Sequence, residues 1–254
     1  LCFKCPRLKE YPKSLFFDFT KRMYKQKIKM YEGFDNLTIV TPSKWLLERV
    51  KTSFLKDKKM LVINNGIDVN IFKEYDTKEI KEKHNLKDEF IVLAVAPNLM
   101  SKEKGGPEVL KLAESLKEKD IKFIMIGLDE PEKVNLDNVI ALPRTANQIE
   151  LAKYYSLANV FVMLSEKENF PTTCIESIAC GTPVIGYDVG GAKETAPKGC
   201  GEFVPYGDIK KIKELILKEK QEKIFKEKDE CVLLGKTLYS KEKMFKEYFK
   251  LYKN

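Results

Sequence analysis

The sequence predicts an α/β protein built on parallel sheets, and three observations carry the prediction. From residue 37 to about residue 207, short β-branched runs alternate with longer helical patterns. The short runs are apolar on both faces, as strands covered by helices on each side are. The 254 residues are 43% hydrophobic and 11% aromatic, which at roughly 150 residues per domain is enough for one large or two modest cores. Strand, helix, strand repeated in this way implies right-handed crossovers. The same composition excludes disorder as the main state, and no apolar run approaches the ~18 residues of a membrane span.

Taken in chain order, residues 12–32 form one long helical pattern. Phe16, Phe19, Met23, Ile28 and Tyr31 fall on a stripe, with Lys21, Arg22, Lys25 and Lys29 mostly off it. Such a helix reads as a domain helix with a solvated lysine face, the more ordinary case, or as one lying on a membrane. Strands are expected at residues 37–41, 60–64, 90–96, 122–127, 139–142, 160–164 and 183–187, and helices at 43–55, 106–119, 147–157 and 172–180. Ser43 and Asn147 stand where N-caps belong. Asn65-Gly66-Ile67-Asp68 is a turn signal and marks a boundary. A polar stretch follows to Glu89, with His84 in it as a solvated side chain, and a fresh series of strand–helix units opens at Phe90. Residues 208–254 read as two or three charged helices broken near Gly235.

Charge divides the chain as well. Residues 1–58 carry 14 basic and 6 acidic side chains, residues 59–207 carry 18 and 23, and residues 208–254 carry 14 and 9, within a net charge of +8. Basic ends around an acidic middle admit nucleic acid, an anionic membrane surface or an anionic substrate as partner. Nucleic acid is set aside, because no recognised binding motif is present and the middle is net acidic. Of the six cysteines, Cys174, Cys180, Cys200 and Cys231 lie among apolar or glycine neighbours, as reduced cytoplasmic thiols do. Cys2 and Cys5 form a CxxC, which is either half of a zinc ligand set with no second half in the chain or two thiols near a chain end. The chain opens on Leu1, and its first elements read like the interior of a longer protein.

Three features converge on a phosphate ligand. The expected strand at 90–96 leads through a loop to Lys104-Gly105-Gly106 at a helix start. A lysine there is a point charge beside helix N-terminal amides. The segment matches neither a Walker loop nor a GxGxxG fingerprint. The second feature is Glu168-Asn169-Phe170-Pro171-Thr172-Thr173, running into a helix that carries Glu176. Pro171 suits the first helical turn, where its missing N–H costs nothing. Glu168 and Glu176 read either as a capping cluster or as acceptors for sugar hydroxyls. The third is Gly181 to Glu194, a strand ending at the Gly190-Gly191 turn, where glycines permit close approach of backbone to a ligand.

The order Lys104-Gly105, then Glu168 with Glu176, then Gly181-x-Pro183-Val184-Ile185 and Gly190-Gly191-x-x-Glu194, resembles the family 4 glycosyltransferases of the GT-B fold. Thr41-Pro42-Ser43-Lys44-Trp45-Leu46 and residues 62–68 with Phe72 are similar to that family's last N-terminal strand–helix and its crossover. The resemblance covers residues 37–207. Arg144-Thr145, Asn169 to Thr172, and Cys5-Pro6 before Tyr11-Pro12 are similar to a subset that builds bacterial capsular or other surface polysaccharide.

That resemblance implies a C-terminal Rossmann-like parallel-sheet domain at residues 71–236. It also implies the remaining, N-terminally truncated part of an N-terminal Rossmann-like domain at 1–70, and a last helix at 237–254 returning to it. It implies a retaining, hexosyltransferase-type enzyme that moves a sugar from a nucleotide-sugar donor to a glycan or lipid-diphosphate-linked acceptor. No metal or cofactor is expected. The place is cytoplasmic, or peripheral on an anionic inner membrane face. Lys104 would bind the diphosphate, with Gly105 at the helix start, and Glu168 would contact the donor sugar; these two form the reaction centre. Asn169, Phe170, Pro171 and Thr172 would line sugar and phosphate, Glu176 would hold the ribose hydroxyls, and Arg144 and Thr145 would lie at the base. This chain departs from the family at Asn98 and Leu99, where many members carry an arginine, and at Pro171, where glycine is usual; Lys102 could share the phosphate with Lys104. The alternative is a donor-binding module without transfer activity.

Overall fold

The computed structural model describes Leu8, Ser14 and residues 17–253. The readings at Cys2 and Cys5, and those at residues 12, 13, 15 and 16 of the first helical pattern, lie outside the described residues. Nine α-helices and eight β-strands are described. In the first part of the chain these are α1 (Thr20–Glu32), β1 (Thr38–Thr41), α2 (Lys44–Lys51), β2 (Lys59–Val62) and α3 (Lys78–Lys83). Then come β3 (Phe90–Val95), α4 (Gly106–Ser115), β4 (Ile121–Ile126), β5 (Val139–Leu142), α5 (Gln148–Leu157), β6 (Val160–Met163) and α6 (Thr172–Ala179). The chain ends with β7 (Val184–Tyr187), β8 (Gly201–Val204), α7 (Ile209–Glu222), α8 (Lys228–Tyr239) and α9 (Lys241–Lys253).

The strands form two separate parallel sheets. β1 and β2 pair with each other, and the other six run in the order β5-β4-β3-β6-β7-β8. The register between β3 and β6 sets Val92 against Val160 and Leu93 against Phe161. These central strands are apolar on both faces because helices cover both. Val92, Leu93, Phe123, Ile124, Met125 and Val160 have no exposed surface, and full burial of such side chains stabilises by about 1.5–3 kcal/mol each. All seven expected strands are present within a residue or two. β8 is an addition: Gly-Glu-Phe-Val carries no apolar run, and it forms by pairing as an edge strand with β7.

The expected caps hold α2 and α5 in place. Ser43 Oγ accepts from the Leu46 amide, and Asn147 Oδ1 accepts from the Glu150 amide at 2.9 Å. Glu150 returns a bond to the Ala146 amide, so the α5 start is satisfied from both sides. Helices α2 and α4 end sooner than the pattern predicted, at Lys51 and Ser115.

Three readings are corrected. Gly235 does not break the C-terminal helices; it lies inside α8, where an added Cβ would come 2.6 Å from Ala179 Cα. It is the point at which α8 packs onto α6, and the actual breaks fall after Lys223 and at Ser240. His84 is not simply solvated, since it is half-buried at the end of α3 with Nε2 2.8 Å from Tyr154 Oη, and burial lowers its pKa. The α1 stripe is not covered: Phe19 and Met23 are exposed, and no residue of α1 is buried. Tyr24 and Tyr31 rest on Phe54.

The two sheets are joined where chain segments run side by side. Ile67 pairs with Ser240, Asp68 accepts from Lys241 Nζ, and the Gly66 amide lies 3.3 Å from Met244 Sδ in α9.

Candidate active site

The sheet order fixes where a ligand can sit. The chain builds outward from β3 to β5, then returns to place β6 on β3's other side, so the winding reverses between β3 and β6. In doubly wound sheets the ligand crevice opens beyond the strand carboxyl ends at such a reversal. Here the loops after β3 and β6 wall a cleft of about 200 Å³ whose lining includes Pro97, Lys104, Leu164, Ser165, Glu168 and Thr172.

Lys104 ends a single 3-10 turn, Lys102–Lys104. Gly105 follows with φ +77°, and a Cβ there would lie 2.2 Å from the Leu164 carbonyl oxygen. Only glycine lets the β3 loop turn left-handed against the end of β6. That turn brings Lys104 Nζ to 2.7 Å from Glu168 Oε1, with the side chains 35% and 16% exposed. An ammonium has three donors, so this pairing leaves it able to bind an anion in the cleft. Lys102, by contrast, is exposed.

Helix α6 starts at the cleft wall. Pro171 is its N-cap, and both Thr172 and Thr173 line the cleft. Amides in a first helical turn have no partner four residues back. Glu176 lies one turn further on and is not among the lining residues. Tyr155 Oη donates to Glu176 Oε2 at 3.3 Å. Burial raises the Glu176 pKa above the ordinary carboxylate value, while hydrogen bonds from Thr172 and Tyr155 pull it down. Burial, with Glu176 beside it, pushes the Tyr155 phenol well above its usual range.

The remaining expected residues have other partners. Asn169 Oδ1 accepts from Ser43 Oγ at 2.5 Å. The Phe170 ring is buried against Tyr239, with centroids 6.1 Å apart, and its carbonyl accepts from Asn65 Nδ2 at 3.2 Å. This stretch therefore ties the β6 loop to α2 and to the crossover. Arg144 is exposed after β5, with Nε and Nη2 both donating to the Pro97 carbonyl. It stands at the rim of the cleft, and Thr145 beside it is half-buried. The glycine-rich turn is also reassigned. A Cβ on Gly190 would lie 1.8 Å from the Glu168 carbonyl oxygen, so the close approach it permits is to the β6 loop of the protein itself.

Two contributors escaped the sequence. Tyr155 looks like any apolar position of α5, and only the packing of α5 on α6 brings its hydroxyl to Glu176. Glu194 gave a motif position but no partner; its carboxylate accepts from the Lys44 and Trp45 amides at the start of α2. Among the described residues, no group of three or more His, Cys, Asp or Glu is placed to hold a metal ion. No helix among them is long and apolar enough to cross a membrane.

The fold has counterparts among solved structures. Sucrose-phosphate synthase from Thermosynechococcus elongatus superposes with a TM-score of 0.75 at 22% identity, over 94% of this chain and 63% of that one. Anabaena Alr3699/HepE, solved in complex with UDP, gives 0.75 at 17%, over 92% and 68%. These likenesses, with the sheet order, show the GT-B fold. In sequence, the chain is 30% identical over 213 residues to the capsular polysaccharide biosynthesis glycosyltransferase CapM of Staphylococcus aureus, covering 76% of this chain and 54% of that protein. It is 27% identical over 188 residues to N-acetyl-alpha-D-glucosaminyl L-malate synthase of Bacillus anthracis, covering 70% and 48%. The chain thus spans about half the length of these relatives. Residues 76–232, which hold β3 to β8 and every wall of the cleft, match the glycosyl transferases group 1 family, and to that family the chain belongs.

Proposed function

We propose that the cleft binds a nucleotide-diphosphate sugar and that the protein transfers the sugar, with retention of anomeric configuration, to a glycan or lipid-diphosphate acceptor in surface polysaccharide synthesis. The Lys104–Glu168 pair at the winding reversal carries this reading. A leaving diphosphate gains negative charge in the transition state, and a preorganised ammonium with free helix amides stabilises charge where it grows. Lys104 and the amides of Thr172 and Thr173 supply those groups, so no metal is required. Glu168 accepts from donor sugar hydroxyls. Glu176, held by Tyr155, accepts from the ribose hydroxyls, and Arg144 and Thr145 border the base. Asn169, Phe170 and Pro171 shape the loop that presents Glu168. Anabaena HepE in complex with UDP supports a nucleotide donor, and CapM supports the polysaccharide setting.

The acceptor side is read from charge. The basic first 58 residues, with the exposed Phe19 just before α1 and the exposed Met23 within it, suit an anionic cytoplasmic membrane face, where a lipid-linked acceptor would reside. Liposome binding that ignores anionic lipid content would overturn this part.

The direct test is a thermal-shift screen of nucleotide sugars, because a ligand bound to the native state raises its stability. With a donor identified, Glu176→Ala should weaken its binding by about 1.5–3 kcal/mol, a tenfold to hundredfold loss by titration calorimetry. An unchanged dissociation constant for every nucleotide sugar would sink the site assignment. The second reading is a donor-binding module without transfer activity. Nucleotide binding with no mass-detected transfer would select it.

A further inference from the structure

We infer that Glu194 is a positioning residue: it latches the six-stranded lobe to helix α2 of the β1–β2 unit and so fixes the loop that carries Glu168. The inference rests on the reading of Glu168 and Lys104 given above. The contact joins the turn after β7 to the first turn of α2. Glu194 Oε2 accepts from the Lys44 amide and Oε1 from the Trp45 amide, each at 2.8 Å. Ser43 Oγ takes the next amide, that of Leu46, at 3.1 Å. Two of the three first-turn amides of α2 are therefore satisfied by a carboxylate some 150 residues further along the chain. A negative charge at that end of a helix is favoured by the helix dipole, and charge-assisted bonds are the stronger ones.

The turn that carries Glu194 also bears on the site. Gly190 and Gly191 lie so close to the β6 loop that a Cβ on either would meet the carbonyl oxygen of Glu168 or Asn169 within 2.4 Å, and on Gly191 it would also lie 2.7 Å from Ser43 Cβ. Asn169 accepts from Ser43 Oγ across the same seam. The α2 start, the Glu194 turn and the Glu168 loop thus form one packed stack, and Glu168 leaves it to hold Lys104. Movement of the β1–β2 unit that opens the Glu194 contact would release the backbone against which Glu168 is set.

The test uses the complete protein and two variants that break the contact from opposite sides. Glu194→Gln removes the charge and turns one acceptor into a donor. Lys44→Pro removes one amide and leaves Glu194 intact. Proline is favoured at a first helical position, and Ser43 before it is already extended, with φ −143° and ψ 155°, as a residue preceding proline must be. Trp45 is the single tryptophan of the chain, so its emission and the exchange of its amide report the latch without any substrate. Both should change in Glu194→Gln.

With nucleotide sugar and acceptor, each variant should lower kcat by about tenfold while the donor dissociation constant moves by less than about threefold. The double variant should be no slower than the worse single one. Additive losses, an equal fall in donor affinity and turnover, or unchanged Trp45 emission and exchange in Glu194→Gln would each overturn the inference. Failure of the unmodified protein to bind any nucleotide sugar would instead overturn the reading of the cleft; the Trp45 signals would still decide whether the latch exists.

Discussion

The two sheets of this protein make opposite use of the same strand–helix pattern. In the six-stranded lobe, β6 is buried at every residue and β3 at all but one. In the β1–β2 unit, only Thr41 is buried in the strands, and neither α1 nor α2 has a buried residue. Phe17, Phe19, Met30 and Phe34 are all more than half exposed. A two-stranded sheet is marginal by itself, since independent stability takes three or more strands with an apolar face or packing against other elements. The comparison teaches that the lobe folds on its own core, whereas the smaller unit owes its position to contacts at the seam: Ser43 with Asn169, Glu194 with α2, and Asp68 with Lys241.

The largest test of that contrast lies in the core. Phe161→Ala should cost about 3–5 kcal/mol in denaturant unfolding, because the lobe cannot collapse around the void. A loss below ~1 kcal/mol would mean the lobe is no better packed than the smaller unit. At the seam, Ser43→Ala removes both the α2 cap and the bond to Asn169, and should cost about 1 kcal/mol. If the two regions are coupled as described, that loss should shrink in an Asn169→Ala background.

A smaller effect is expected from pH. Burial raises Glu176 above its ordinary value of 4.5, so the native state keeps a proton that the unfolded chain has released. Stability should therefore fall as pH rises from about 4.5 to the native value, and level off above it. Glu176→Gln should flatten that slope in pH-dependent melting. If Glu176 has the proposed role, donor binding should weaken as pH falls through the same window; a flat profile would overturn that role. The smallest effect is at the exposed surface: Phe17→Ala should change stability by less than ~0.5 kcal/mol. A larger loss would show that the smaller unit has a core of its own.

The lobe was the legible part. Its strands are continuous apolar runs because both faces are covered, and that signal needs no knowledge of the partners. Edge strand β8 was not legible, since Gly201 to Val204 has neither a run nor an alternation, and only the β7 ladder recruits it. Gly235 misled because an isolated glycine in a helical pattern usually signals an end, and its reason for being there is Ala179, 56 positions away in sequence. In the cleft, Lys104 and Glu168 were legible from their places after strands. Tyr155 and the Glu194 contact were not, because each depends on which helix lies next to which. The Gly190-Gly191 turn was rightly read as a close approach, but the approaching group is protein backbone.

One further consequence comes from the doorway at Ile67. The Ile67 amide donates to the Tyr239 carbonyl at 2.8 Å, and the Lys241 amide returns a bond to the Ile67 carbonyl at 2.8 Å. The six-stranded lobe therefore begins and ends at one point, like a bead threaded by a single knot. A unit whose two ends meet can be spliced into a loop of another scaffold, or permuted to new termini, without stretching its interior. Evolution could exchange this lobe between different partners for the same reason.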